Sequence, residues 1–267
     1  MLSFENVYFA YESEKWVLED ISFTLDKGEF VSIIGSNGSG KSTIARLANG
    51  LLVSSKGRVL LDDNDLSGPY NRIAKFKVGL VFQNPDNQFV GITVEDDIAF
   101  GLENLGLERS EIQKRIMDIS DEFGIKTFLH FPPNLLSGGE KQKVALASVL
   151  VLEPDYLVFD EVTSLLDPLN RKEILKVIMS ISKEKGVLYI THHPEETVFS
   201  NKIVVLHNGK IVTVGTPEEV FYQIDLLSSI GVSNINEALL AKELLDNGII
   251  KNFSINLDDI LNQICSS

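Results

Sequence analysis

Residues 35–43, GSNGSGKST, fit the pattern Gly-x-x-x-x-Gly-Lys-[Ser/Thr] and directly follow the apolar run FVSII. In such a loop the glycines let the backbone curl until its N–H groups point at phosphate oxygens. A helix beginning near Lys41 adds the positive end of its dipole at the same point. The candidate phosphate-binding residues are Gly35, Ser36, Asn37, Gly38, Ser39, Gly40, Lys41, Ser42 and Thr43. Lys41 would reach the β- and γ-phosphates of a nucleoside triphosphate, and Ser42 would ligate Mg²⁺. A glycine-rich turn without a ligand is the competing reading, disfavoured because a strand and a helix flank the loop as the motif requires.

A second chemical group closes the run YLVFDE, residues 156–161. Four apolar residues followed by two carboxylates describe a buried strand whose tip emerges at the ligand-binding edge of a sheet. Asp160 would complete the Mg²⁺ shell, and Glu161 would activate and orient the attacking water. A solvated acidic pair at an ordinary strand end is the alternative, and the preceding phosphate loop weighs against it. A third motif, LSGGE at 136–140, opens an apparent helix running to Leu152. Its Ser-Gly-Gly start offers an N-cap hydroxyl and close backbone approach, a further anion-seeking helix end. One chain with two such ends suggests that the second serves the nucleotide of another subunit.

These groups need a scaffold. Strand-like runs occur at 3–9, 21–25, 30–34, 59–61, 78–82, 156–160, 187–191, 202–206 and 211–214. Several are continuously apolar, as suits strands buried on both faces of a sheet. Ile174, Val177, Ile178 and Ile181 follow the spacing of an amphipathic helix. Strands alternating with helices predict an α/β core. Residues 86–152 carry little strand signal and read as a mainly helical insertion, and Leu-rich helical segments follow at 236–247 and 256–264.

Composition excludes other classes. The 267 residues hold 24 Lys+Arg against 38 Asp+Glu, a net charge of −14, which argues against a nucleic-acid binder. Hydrophobic residues make up 44%, enough for a packed core rather than disorder. The single cysteine, Cys265, allows no internal disulfide or cysteine-rich metal site and suits a reducing, cytoplasmic compartment. No secretory signal is expected from MLSFENV, and the apolar stretch 144–152 is too short to span a membrane. Any membrane role would come through a partner.

The ordered set of residues 35–43, Gln83, LSGGE, YLVFDE, SLLD (164–167) and His192 resembles the ATPase subunits of ABC transporters over about residues 1–220. The resemblance implies a P-loop NTPase fold: a RecA-like core with an antiparallel β subdomain, plus a helical subdomain. It implies ATP and Mg²⁺ as cofactors, and two subunits meeting head to tail around two ATPs. Each site would then combine one subunit's phosphate loop with Ser137, Gly138 and Gly139 of the other. It further assigns Tyr11 to stacking on adenine, with Phe9 and Trp16 as competitors for that place. Gln83 would sense Mg²⁺, water and γ-phosphate; His192 would contact the γ-phosphate and orient the water; Asp167 would link the two sites. Glu161, His192, Gln83 and Lys41 form the expected catalytic set, and Ser42, Gln83 and Asp160 the expected metal set. Four positions depart from the family pattern: Glu140 for Gln, Lys143 for Arg, Val162 for Ala and His193 for Asp.

A narrower resemblance lies in residues 82–104, FQNPDNQFVGITVEDDIAFGLEN, and in the tail with PEEVF and IGV. Both are similar to energy-coupling factor (ECF) transporter ATPases, and most to the first of the paired ATPases. The implied role is ATP hydrolysis driving uptake of vitamins or other micronutrients, at the cytoplasmic face of the cell membrane as a peripheral subunit. The implied partners are a second ECF-type ATPase, as heterodimer or homodimer, a transmembrane coupling protein and a substrate-binding membrane component. A conventional ABC transporter is the alternative assembly. The expected organisation is an ATPase domain at 1–222, with its helical subdomain at about 86–152, and a helical extension at 223–267. Residues 86–111 hold seven acids and one base, Arg109, a net of −6. An acidic groove there, including Asp96 and Asp97, would receive arginines of the membrane partner.

Overall fold

The computed structural model describes residues 1–12 and 15–266. Its centre is a six-stranded sheet in the order β10-β9-β3-β8-β7-β6. These strands are β3 (Phe30–Gly35), β6 (Val78–Val81), β7 (Tyr156–Asp160), β8 (Gly186–Ile190), β9 (Lys202–His207) and β10 (Lys210–Gly215). All neighbours pair in parallel except β10, which runs antiparallel to β9. Every residue of β3, β6, β7 and β8 is buried, which explains their uninterrupted apolar runs. Side chains alternate between two cores: Val31, Ile33, Val158, Leu188 and Ile190 face one. Leu157, Phe159, Val187 and Tyr189 face the other.

The first core is closed by an antiparallel sheet of β1 (Leu2–Phe9), β2 (Leu18–Leu25), β4 (Lys56–Leu61) and the two-residue β5 (Asn64–Asp65), ordered β2-β1-β4-β5. Helix α1 (Lys41–Ala48) packs between the two sheets through Ile44, Ala45, Leu47 and Ala48. Neither β5 nor α2 (Asn71–Lys77) is anticipated by the sequence pattern. Only Ala74 of α2 is buried, so the helix carries no apolar periodicity. Asn71 instead anchors it, donating to the carbonyls of Gly50 and Leu66 at 2.8 and 3.0 Å.

The second core holds the helical insertion, with α3 (Val94–Asn104), α4 (Arg109–Glu122) and α5 (Gly138–Leu150). Helix α6 (Pro168–Ile181) lies on the same face through Ile174 and Ile178, two of the four residues whose spacing marks it in the sequence. The fold is that of an ABC ATPase: a RecA-like core, an antiparallel β subdomain, a helical subdomain and C-terminal helices.

After β10 come α7 (Pro217–Phe221), α8 (Ile224–Ser229), α9 (Asn236–Asp246) and α10 (Leu257–Cys265). Phe221, Leu227, Ile235 and Ala238 of this segment bury against Ile34, Ile203 and Val205 of the central sheet. Ala241, Ile250 and Ile260 form a small core of their own. Among the described residues, no helix is long and apolar enough to cross a membrane.

Candidate functional site

The phosphate loop hangs between the end of β3 and the start of α1. Gly40 caps the helix with φ of +105°, a left-handed conformation that favours glycine. At Gly35 the limit is space, since a Cβ there would lie 2.1 Å from the carbonyl oxygen of Leu206. The N–H groups of Gly38, Gly40, Lys41 and Ser42 make no hydrogen bond among the described residues, and they crown the N-terminus of α1. The Oγ of Ser39 is buried without a partner. Lys41 Nζ donates to the carbonyls of Gly35 and Ser36 at 3.0 and 3.2 Å. Burial lowers its pKa, while Glu161 and Asp160 pull it back up. A ring of unpaired N–H donors, an unpaired hydroxyl and a buried ammonium is a donor set suited to a polyphosphate.

Carboxylates arrive from the other side. Asp160, the last residue of β7, is buried, and Ser42 Oγ donates to it at 3.1 Å. Burial raises its pKa, a shift the Ser42 bond partly offsets. Ser42, Gln83 and Asp160 offer hard oxygen donors of the kind Mg²⁺ takes. Glu161 follows with φ of +52°, uncommon for a residue with a side chain and a backbone cost that functional sites often retain. Its carboxylate is shared by three groups: Lys41 Nζ at 3.8 Å, His192 Nδ1 at 3.3 Å and Gln83 Nε2 at 3.1 Å. Gln83 lies two residues beyond β6 rather than at the strand's end, and it also donates to Ser164 Oγ at 3.1 Å. Ser164 in turn donates to the Glu161 carbonyl at 2.7 Å, so it braces both residues. The sequence marks Ser164 only as the start of SLLD.

Asn37, Gly38, Gly40, Lys41, Ser42, Thr43, Gln83 and Glu161 line one cleft of about 450 Å³, joined by Val17. That volume lies within the range of small-molecule sites. Tyr11 stands beside it, half exposed; its OH lies 3.3 Å from Thr43 Oγ1 and accepts from Arg46 Nη1 at 3.3 Å. Of the other aromatic rings, Phe9 is buried edge-on against Tyr11, and Trp16 packs on Tyr8. His193, tilted 38° against His192 with centroids 4.1 Å apart, pairs with Glu195 rather than with Glu161.

Ser137, Gly138 and Gly139 do not line this cleft. Ser137 and Gly138 are exposed at the head of α5, with open space around Gly138. Ser137 Oγ and N both donate to Glu140 Oε2, at 2.6 and 2.8 Å, and these bonds lower the Glu140 pKa. Asp167 is exposed and caps α6 through the N–H groups of Leu169 and Asn170; its pKa is lowered, first by the Asn170 side chain. The Asn170 side chain also sits 2.7 Å from where a Cβ on Gly139 would be, which sets the Asp167 turn beside the α5 head.

The acidic segment is not a uniform groove. Asp97 is buried, accepting from the N–H groups of Val90 and Gly91 at 2.8 and 3.1 Å and from Ser148 Oγ at 2.8 Å. Asp96 closes a capping box with Thr93 at the start of α3. Asp97 therefore holds local structure instead of facing a partner, a correction to the sequence expectation, while Asp96 stays exposed and lines a groove with Glu95, Glu103 and Arg109. Periodicity could not reveal the place of Asp97, because its donors come from a loop and from α5.

The comparisons agree with this geometry. The family model described as "ABC transporter" matches residues 18–164. The chain is 40% identical to the energy-coupling factor transporter ATP-binding protein EcfA1 of Ureaplasma parvum serovar 3, covering 100% of this chain and 91% of that protein. Identity to the EcfA1 protein of Streptococcus thermophilus is 42%, covering 94% of this chain and 92% of that one. Among solved structures, cbiO1 from Clostridium perfringens, described as part of the ABC transporter complex cbiONQ, superposes with a TM-score of 0.75 at 33% identity. That match covers 90% of this chain and 98% of cbiO1. The dimeric bacterial ABC transporter cassette MJ0796 gives a TM-score of 0.75 at 26% identity over 81% of this chain and 99% of that one. By sequence identity over nearly its whole length and by its fold, the chain belongs to the energy-coupling factor transporter ATP-binding proteins, within the ABC transporter ATPase family.

Proposed function

We propose that the chain hydrolyses ATP in a pair of ATPase subunits and drives uptake of vitamins or other micronutrients through membrane partners. The observation that carries this reading is the convergence of Lys41, Gln83 and His192 on the Glu161 carboxylate beside an open phosphate loop. Glu161 orients and deprotonates the attacking water, held in place by Gln83 and His192. Lys41 moves from the loop carbonyls to the β- and γ-phosphates, and the loop N–H groups of residues 35–43 stabilise the charge that develops there. Tyr11 stacks on the adenine. Ser42, Gln83 and Asp160 would hold Mg²⁺, which supplies positive charge to the phosphate oxygens.

Ser137, Gly138 and Gly139 lie outside the lining of the chain's own cleft and serve the nucleotide of the second ATPase, with Asp167 joining the two sites. The remaining partners are a transmembrane coupling protein and a substrate-binding membrane component, and the chain works at the cytoplasmic face of the membrane as a peripheral subunit. The exposed acids Glu103 and Glu108 are available to basic groups of the coupling protein, in contrast to Asp97. Residues 1–222 make the ATPase domain, and 223–267 an extension whose helices rest on the face of the central sheet through Leu227, Ile235 and Ala238.

Two measurements test the proposal. Glu161→Gln should lower ATP turnover by roughly two to four orders of magnitude while ATP still binds, the scale of a lost general base. Purification of the intact assembly from membranes should bring down a second ATPase and two membrane proteins. Normal turnover in Glu161→Gln, or a chain that never associates with membrane proteins, would refute it.

A further inference from the structure

Glu196 is more deeply buried than Asp160, at 2% exposure, yet it lines no part of the nucleotide cleft. A buried carboxylate is costly unless its oxygens are paired. Its Oε2 accepts from three hydroxyls: Tyr189 at 2.7 Å, Thr191 at 2.7 Å and Thr163 at 3.0 Å. Burial, reinforced by Glu196, pushes the Tyr189 phenol well above its ordinary value, so it remains a donor.

The three donors belong to different parts of the site. Thr163 lies two residues after Glu161, in the turn that Ser164 braces. Thr191 directly precedes His192, and its Oγ1 also accepts from the N–H of His193 at 3.0 Å. The other oxygen, Oε1, stands 3.6 Å from Arg171 Nε, an ion pair too long for a hydrogen bond, and neither atom has a hydrogen-bond partner. Arg171 sits in the first turn of α6, its N–H bonded to the carbonyl of Asp167. One carboxylate thus touches the His192 loop, the turn after Glu161 and the helix that Asp167 caps.

We propose that Glu196 is a positioning residue that ties these three segments together, so that the His192 imidazole, the Glu161 carboxylate and the Asp167 turn move as one body when the cleft closes on nucleotide. The inference rests on the reading of Glu161 and His192 as the hydrolytic groups. Hydroxyl bonds to Oε2 fix the first two segments. The Arg171 pair has room to shorten to a charge-assisted bond of roughly 2.8 Å, which would bring the Asp167 helix into the same unit.

The test uses the full chain assembled with its second ATPase and membrane partners. Glu196→Gln keeps an oxygen for the hydroxyls but presents an amide to Arg171, and Thr191→Val removes the hydroxyl link to the His192 loop. Each should lower kcat about ten- to hundredfold, the scale of a misplaced reacting group, with KM for ATP within about twofold, assayed at a temperature where thermal melts show the variant fully folded. Thr191→Ser, which retains the hydroxyl, should restore kcat. Wild-type kcat in Glu196→Gln, equal losses in Thr191→Val and Thr191→Ser, or a loss that only tracks a fallen Tm would each overturn the inference. Glu161→Gln and His192→Ala run alongside separate it from the reading beneath it. If those two keep turnover, the site reading fails; if they lose it while Glu196→Gln does not, this inference alone fails.

Discussion

The hydroxyl of Ser42 donates to Asp160 Oδ1 at 3.1 Å, joining the first turn of α1 to the tip of β7 across 118 positions of chain. This bond starts from a residue that lines the phosphate cleft and holds a carboxylate that burial disfavours.

The Asp160 pKa is raised above its ordinary value by burial, so the folded chain binds this proton more tightly than the unfolded chain does. The cost of its charge is therefore absent below the unfolded value, grows as pH rises from there toward the folded value, and is complete above it. Asp160→Asn keeps an acceptor for Ser42 and removes that cost. The nucleotide-free variant should melt above wild type at pH 7, by roughly 2–4 °C for each kcal/mol relieved, with the gap narrowing on acidification. Thermal melts across pH decide the matter: a lower Tm at neutral pH, or a gap independent of pH, would contradict it. Turnover with Mg²⁺ should be lost in the same variant.

Tyr11 is held beside the cleft by Thr43 and Arg46 through its OH, with its ring half exposed. Base–aromatic stacking contributes about 1–3 kcal/mol, so Tyr11→Ala should weaken ATP binding about tenfold. Tyr11→Phe keeps the ring and should bind nearly as wild type. Equilibrium titration with inorganic tripolyphosphate, which has no base, should show no difference among the three proteins. A loss with tripolyphosphate would mean that Tyr11 acts on the phosphate loop instead.

Glu140 draws both the hydroxyl and the N–H of Ser137 onto one oxygen. Since these bonds lower its pKa, their contribution to the cap is present above the ordinary glutamate value and fades as pH falls through the lowered one. On the proposed role of Ser137, the carboxylate would also place a negative charge where the second subunit's γ-phosphate arrives. Glu140→Gln keeps the cap and removes the charge, a relief of about 1 kcal/mol for charges some 4 Å apart in water, or about fivefold. ATP-driven subunit association, followed in a Glu161→Gln background, should shift to correspondingly lower ATP. An unchanged or higher ATP requirement would count against the placement of Ser137.

Asp97 accepts two backbone N–H groups and the Ser148 hydroxyl in a buried position. Asp97→Ala leaves those donors unmet, at a cost of about 1–3 kcal/mol, and should lower Tm by several degrees. Glu103→Lys and Glu108→Lys, at exposed positions, should leave Tm unchanged. Denaturation curves of the three variants distinguish a structural carboxylate from surface charge.

The chain's local chemistry is largely legible in its sequence. The phosphate loop depends on nine consecutive residues and the two elements that flank them, and β7 announces itself by an apolar run ending in Asp160 and Glu161. Periodicity also places α6 and the last two helices. It misses β5, because two residues make no pattern, and α2, because only one of its side chains is buried.

What the sequence determined by itself is which groups the chain possesses and which short segments carry them, since backbone curl, helix starts and buried strands follow from neighbouring residues. Only the tertiary structure decided which carboxylates meet which donors. Asp97 and Glu161 are both acids in the sequence, yet one anchors a loop and the other gathers Lys41, Gln83 and His192 from three separate segments. Glu196 gives no sign of its place among three hydroxyls until β7, β8 and α6 are packed together. The reason is physical: a carboxylate's role is set by the dielectric and the donors around it, and those come from chain segments brought close by burial rather than by sequence.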